Sequence, residues 1–246
     1  MSTAHDETPE LDADFPIPGP AAWLREGLGV LELPRLLLRF PELVRMPRGS
    51  GQPVMVLPGF GAGDSSTFVL QSYLRLLGYR VQGWRMGINL GRVAALLPRV
   101  QRRVARLADA AGEPVRLIGW SLGGVLAREA ARGRPELVRR VITLGSPIVG
   151  GPKYTAARPI YRQQGMDLDA VEAAIEAREA TPIRVPITAI WSRADAIVAW
   201  QACVDRRSPD VENVEVSATH FGLGFAADVY RVIADRLARR SGAGVQ

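Results

Sequence analysis

The residues best suited to chemistry stand in one short run: Gly119, Trp120, Ser121, Leu122, Gly123 and Gly124. A serine hydroxyl is a poor nucleophile near neutral pH. It needs a base to take its proton and a backbone that projects it clear of its neighbours. The spacing meets the second need. Gly119 lies two residues before Ser121 and Gly123 two after, where any side chain would collide across a sharp strand-to-helix turn. Such a turn, a nucleophile elbow, lifts the hydroxyl above the edge of a sheet. The base must come from two histidines, His5 and His220. His5 lies in an acidic stretch that offers no rigid support, which leaves His220, within Ser217, Ala218, Thr219, His220, Phe221 and Gly222. Two histidines and one cysteine do not build a zinc site of the usual type. The glycine-rich stretch Gly59 to Gly63 lacks the Gly-Lys-Ser/Thr ending of a phosphate loop, and its glycines are not spaced for a dinucleotide. Neither a metal nor another cofactor is expected.

These groups need elements to position them. Val115 to Ile118 reads as a buried strand leading into the elbow, and Val125 to Ala131 as the helix leaving it. Pro53 to Leu57 is a second buried strand, ending in the loop Pro58 to Gly63. Asp64, Ser65, Ser66 and Thr67 offer N-caps for a helix from Phe68 to Leu77, closed by Gly78. Tyr79 to Trp84 reads as a strand, and Gly91 to Ala111 as a long amphipathic helix. Its Val93, Leu96, Leu97, Val100, Val104 and Leu107 face inward, while Arg92, Arg99, Arg102, Arg103 and Arg106 form a solvated face. Strands follow at Leu137 to Leu144, Pro186 to Trp191 and Val211 to Val216, with a closing helix from Phe225 to Arg240. This alternation predicts an α/β fold, a mostly parallel central sheet with helices on both faces. Ligands of such sheets bind at the carboxyl ends of the strands, where the Phe60 loop and Ser121 both fall. Residues 147–182 interrupt the alternation with the loop Ser146 to Pro152 and a helix from Leu168 to Ala180, read as a small cap.

The chain of 246 residues, 47% hydrophobic and 23% charged, is long enough for one α/β domain with a sizeable core. That domain is expected over residues 51–240, with a disordered acidic tail over 1–20 and a frayed end over 241–246. Residues 21–50 mix leucines with Arg25, Arg35, Arg39, Arg45 and Arg48, and Pro34 and Pro41 are expected to break them into short helical pieces. This arm either packs on the domain or rests on lipid, apolar on one side and arginine-rich on the other. The formal net charge is +6, and Lys153 is the only lysine. Arginine usage of this kind reflects compositional bias, with attraction to an anionic partner as the alternative. Aromatic residues are not interleaved with the basic ones, so no nucleic-acid partner is expected. Cys203 stands alone, which excludes an intramolecular disulfide. No apolar run approaches the roughly 20 residues that span a bilayer. The first residues lack the basic start and apolar core of a secretory signal. The expected location is cytoplasmic, with peripheral membrane contact through residues 21–50 as a further option. Oligomeric state is not legible.

With these residues in view, the stretch from Gln52 to Arg240 resembles the α/β-hydrolase superfamily, particularly small bacterial lipases and esterases. The resemblance implies a triad in the order serine, acid, histidine. Ser121 matches the nucleophile, and His220, between the last strand and last helix, matches the base. Asp195, within Ser192, Arg193, Ala194, Asp195, Ala196, Ile197 and Val198, matches the acid; Asp205 and Asp210 are its rivals, farther beyond the strand end. The implied oxyanion hole uses the backbone N–H groups of Leu122 and Phe60. Many family members carry His-Gly where this chain has Pro58 and Gly59, a departure that leaves the backbone donor in place. Trp120, Leu122, Phe60, Ile148 and Val149 are expected to line an apolar acyl pocket. The implied activity is hydrolysis of a small-molecule or lipid carboxylic ester through an acyl-enzyme. Thioester cleavage or acyl transfer on carrier-bound or CoA-bound chains, and peroxidase-like chemistry, use the same machinery. A serine nucleophile argues against the dehalogenase and epoxide hydrolase branches, which use aspartate. A non-catalytic binding protein is the alternative of another class.

Overall fold

The computed structural model describes residues 15–19 and 22–239. Of the expected tails at 1–20 and 241–246, residues 1–14, 20 and 241–246, with His5, lie outside the described residues; Phe15 does not belong to a disordered tail, since it is buried with its ring 4.9 Å from that of Tyr154. Among the described residues, six strands form one sheet: β1 (Pro53–Leu57), β2 (Arg80–Gly83), β3 (Val115–Trp120), β4 (Val138–Leu144), β5 (Ile187–Trp191) and β6 (Val211–Glu215). Their order is β2-β1-β3-β4-β5-β6, and every neighbouring pair is parallel. The central strands are apolar almost throughout because both faces are covered. Val54, Val56, Ile118, Ile142 and Leu144 face a core shared with α3 (Phe68–Leu76) and α8 (Ala227–Ala238). Met55, Leu57, Leu117 and Val141 face the opposite core, against α4 (Val93–Ala111) and α5 (Leu122–Gly133). From β1 the chain steps outward to β2, then returns across β1 to form β3. The loops after β1 and β3 therefore diverge, and a crevice opens at the carboxyl ends of these two strands.

Several boundaries differ from the sequence reading. β3 continues past Ile118, because Gly119 is in register with Leu57 and Thr143, and Trp120 with Leu144. α5 begins at once after Ser121 instead of at Val125. The closing helix starts at Ala227; Phe225 instead sets its ring edge-on to Trp120, 6.3 Å between centroids. Arg103 does not join a solvated face: its guanidinium donates to Gln82 Oε1 at 2.9 Å and to the Gly83 carbonyl at 3.3 Å.

The segment between β4 and β5 holds a 3-10 turn (Gly151–Tyr154), α6 (Arg158–Gln163) and α7 (Leu168–Glu179). α6 was not foreseen; it is short and carries Pro159 in its first turn, where the missing N–H has no partner to lose. Asp167 caps α7, its Oδ1 accepting from the Asp169 and Ala170 N–H groups at 3.1 Å each. Ion pairs hold both ends of α7. Lys153 Nζ lies 2.9 Å from Asp169 and 2.6 Å from Glu172, and Arg132 on α5 lies 2.5 Å from Glu179.

Ahead of the sheet run α1 (Trp23–Glu26), a 3-10 stretch (Gly27–Leu31) and α2 (Glu32–Leu43). The prolines do not break α2. Pro34 is its third residue, where the N–H lacks an intrahelical acceptor, and Pro41 falls in the last turn and removes a single bond. Leu36 and Leu43 are buried in the core shared with α8, and Tyr73 Oη donates to the Leu43 carbonyl at 3.1 Å. Leu37 and Leu38 are 72% and 80% exposed. Among the described residues no helix is long and apolar enough to cross a membrane.

Candidate active site

Ser121 ends β3 and opens α5 with φ at +54° and ψ at −124°, a conformation rare outside glycine. Its N–H donates to the Leu144 carbonyl at 2.7 Å, and its own carbonyl accepts from Gly124 N–H at 2.9 Å. A Cβ on Gly119 would fall on the backbone of Gly123 and Gly124, and one on Gly123 would fall on the carbonyl of Leu57. The strand, the turn and the helix can pack this closely only with glycine at both places.

His220 lies in the loop after β6, and Asp195 in the loop after β5. The structure brings the two together: His220 Nδ1 is 2.7 Å from Asp195 Oδ2, and both side chains are buried. Against a carboxylate acceptor Nδ1 carries the hydrogen, so Nε2 of the neutral ring is left with a free lone pair. The other carboxylate oxygen, Asp195 Oδ1, accepts from Ile197 N–H at 2.9 Å and Val198 N–H at 2.8 Å, which fixes the acid within its own turn. Burial pushes the His220 pKa down. The charge and hydrogen bond of Asp195, with the charge of Glu26, more than offset this, and the pKa is raised above the ordinary imidazole value.

The rival acids are engaged elsewhere. The Asp205 carboxylate pairs with Arg128 in the interior. Burial alone would raise its pKa, but Arg128 and the bonds to Ser208 hold it below the usual carboxylate range. Asp210 is exposed at the start of β6, where its carbonyl accepts from Ile187 N–H.

The loop after β1 passes directly over the serine: a Cβ on Gly59 would lie 3.1 Å from that of Ser121. Asn89, fully buried, knits this loop in place. Its Nδ2 donates to the Pro58 carbonyl at 3.0 Å, its N–H to Ala62, and its carbonyl accepts from Gly61 N–H. Phe60 and Leu122 both border the resulting cavity, and Leu122 is the first residue of α5, whose N–H has no intrahelical acceptor. The cavity has a volume of about 890 Å³ and also reaches Ser121, Trp120 and His220. Leu97 of α4 and Val125 of α5 line it together with Ile160 of α6 and Val171 and Ile175 of α7.

Trp120 reaches this cavity and also supports the histidine loop, its Nε1 donating to the His220 carbonyl at 3.2 Å. Ile148 and Val149 do not border it. Their N–H groups both donate to the Ala202 carbonyl, at 2.9 and 3.1 Å, which turns this loop toward a smaller cavity beside Phe15 and Arg128. Sequence reasoning missed Asn89 and also Glu26, whose carboxylate accepts from the N–H groups of Ala196, His220 and Phe221. Among the described residues no group of three or more His, Cys, Asp and Glu side chains could hold a metal ion.

No protein-family model and no curated protein matches this sequence. Solved structures do. The mature form of Bacillus licheniformis lipase BlEst2 superposes with a TM-score of 0.58 at 16% identity, over 79% of this chain and 94% of that one. Mouse alpha/beta hydrolase domain-containing protein 10 gives 0.52 at 20% identity, over 77% and 89%. A Mycobacterium tuberculosis H37Rv protein assigned as a non-heme bromoperoxidase gives 0.54 at 16% identity, over 76% and 91%. The chain has the α/β-hydrolase fold. At these identities the likeness carries the architecture, and the chemistry must be argued from the site.

Proposed function

We propose that the protein is a serine hydrolase that cleaves carboxylic esters through an acyl-enzyme. The observation that carries this reading is Ser121, on a strained turn, bordering the same apolar cavity as a His220 already paired with Asp195 at 2.7 Å. In the reaction, Ser121 Oγ adds to the ester carbonyl carbon while His220 Nε2 takes the hydroxyl proton. Asp195 stays ionised, keeps the tautomer and stabilises the imidazolium. The N–H groups of Phe60 and Leu122 receive the negative oxygen of the tetrahedral intermediate. His220 returns the proton to the departing alcohol. Water then repeats the sequence on the acyl-serine and releases the acid.

The cavity is large and almost wholly apolar, which suits an acyl chain of medium to long length. The lipase named among the similar structures is consistent with an ester substrate. The exposed leucines of the arm add peripheral contact with a lipid surface to this reading. Glu26 accepts from Phe221 N–H, and Phe221, half exposed, borders the cavity, so the arm and the cavity mouth share one rim. Ser121→Ala should lower turnover of p-nitrophenyl esters by roughly a thousandfold or more, with an unchanged fold. An organophosphonate probe should label the wild type and not the variant. Undiminished hydrolysis by Ser121→Ala would overturn the mechanism, and a series of ester chain lengths beside an acyl-thioester would identify the preferred substrate.

A further inference from the structure

The arm delivers one carboxylate to the backbone of the two loops that carry Asp195 and His220, and the mechanism above makes no use of it. Glu26 ends α1 and is only 5% exposed. Its Oε1 accepts from Ala196 N–H at 2.9 Å and from His220 N–H at 3.0 Å, and its Oε2 from Phe221 N–H at 2.9 Å. Ala196 directly follows Asp195, and His220 carries the base. One carboxylate thus joins the backbone of the acid loop to that of the base loop. A buried carboxylate is costly unless it is well satisfied, and three N–H donors to an anion are strong bonds.

Anchoring the arm does not require this arrangement. Leu36 and Leu43 already bury the arm in the core. Gly29 lies so close to the base loop that a Cβ there would meet Thr219 Oγ1 at 2.8 Å and Gly222 N at 3.0 Å. Asp195 binds its own turn and His220 binds Trp120, but neither contact links one loop to the other. Besides the 2.7 Å contact of the pair itself, Glu26 supplies three bonds that span the two loops.

We propose that Glu26 is a positioning residue: it fixes the backbones that carry Asp195 and His220 relative to each other, and so holds the pair in register for proton transfer. This rests on the serine-hydrolase reading of the same site. The charged groups acting on the imidazole are Asp195 from the β5 loop and Glu26 from the arm, and Ser121 from the elbow borders the same cavity. Glu26 therefore acts on His220 in two ways, through the backbone and through its charge.

The test compares the full-length wild type with Glu26→Gln and Glu26→Asp. Glutamine keeps the length and one acceptor oxygen, but it loses the charge and turns an amide toward a donor. Aspartate keeps the charge and is shorter. With a soluble p-nitrophenyl ester, Glu26→Gln should lower kcat on the order of ten- to a hundredfold at little changed KM. The acidic limb of its kcat/KM profile should move to lower pH. Glu26→Asp should lose kcat while its limb stays nearer the wild-type position. The second readout is independent of substrate. The chain has two histidines, so the His220 imidazole can be followed by NMR titration, and its midpoint should fall in Glu26→Gln. A folded Glu26→Gln with wild-type kcat and an unmoved His220 titration would overturn the proposal, as would a kcat loss that only tracks the unfolded fraction. If the wild type hydrolyses no ester, the functional reading falls, and the titration still decides whether Glu26 is coupled to the histidine.

Discussion

Ser121 occupies a backbone conformation that costs a non-glycine residue about 1–3 kcal/mol, and its surroundings hold it there. The bond to Leu144 anchors its N–H, and the interlocked backbones at Gly119 and Gly123 leave no alternative path for the chain. Gly119→Ala has nowhere to place its methyl group, so it should lower the melting temperature and abolish organophosphonate labelling together. In the proposed mechanism His220 is the base, and its raised pKa would set the pH profile. Hydrolysis needs the neutral ring, so kcat/KM should fall with acidification around a midpoint above about 6.5, the ordinary imidazole value. Asp195→Asn should move that midpoint down and lower kcat by roughly 10³- to 10⁴-fold; a wild-type profile in this variant would show that another acid serves His220. The strained turn at Ser121 was legible because its glycines lie within two positions of it, and the pairing of His220 with Asp195 because the chain offers so few histidines. Glu26 was not legible. Its partners are 170 to 195 residues away in sequence, and a glutamate in an arginine-rich stretch looks like any surface charge. Ile148 and Val149 were misplaced because an apolar loop beside the site does not reveal which way its backbone hydrogen bonds will turn it.

Among the elements, the parallel strands and their covering helices were legible because they follow two simple patterns, short and mostly apolar runs for β1, β3, β4 and β5 and a 3.6-residue repeat for α4. α6 carried no such repeat, and α2 was misread because proline was weighed by its presence and not by its place within a turn. α7 shows what tertiary context adds. Its weakly patterned sequence is held over the cavity by Lys153 at one end and by Arg132 and Arg128 at the other. Ile175 of α7 borders the cavity, and a larger side chain there should shorten it. Ile175→Trp should shift the preferred ester toward shorter acyl chains, read as a change in the ratio of kcat/KM values for short and long p-nitrophenyl esters. Arg128 also pairs with buried Asp205, and removing one partner leaves the other charged and unpaired. Arg128→Ala should destabilise the fold by about 3–5 kcal/mol near neutral pH, measured by urea unfolding. The folded pKa of Asp205 is depressed, so its pairing stabilises the native state above the unfolded carboxylate pKa of about 3.9 and is lost as pH falls through the folded value. The gap between Arg128→Ala and wild type should therefore narrow below about pH 4, and a gap that stays constant with pH would assign the loss to packing alone.

For the molecule as a whole, the question is what faces the arm. α2 buries Leu36 and Leu43 and turns Leu37 and Leu38 outward, and Leu24 and Leu28 are also exposed on the same arm. The charge of +6 favours an anionic surface, although Arg35 and Arg39 are already engaged with Glu32 and Glu42 within the helix. If the arm makes the proposed contact with lipid, apolar burial should supply most of the attachment, with charge as a weaker, salt-screened addition. Burying a leucine side chain fully is worth roughly 1.5–3 kcal/mol, so replacing Leu37 and Leu38 by aspartate should weaken partitioning well beyond tenfold even if each enters the lipid only in part. Neither side chain lies in the core, so the fold and the hydrolysis of a soluble ester should be unaffected. Co-sedimentation with vesicles containing anionic phospholipid should show wild type in the pellet and the double variant in the supernatant. Raising the salt concentration should reduce the wild-type fraction only modestly. A steep loss with salt would make the arginines the main contact, and equal sedimentation of the two proteins would remove the arm from any role at a lipid surface.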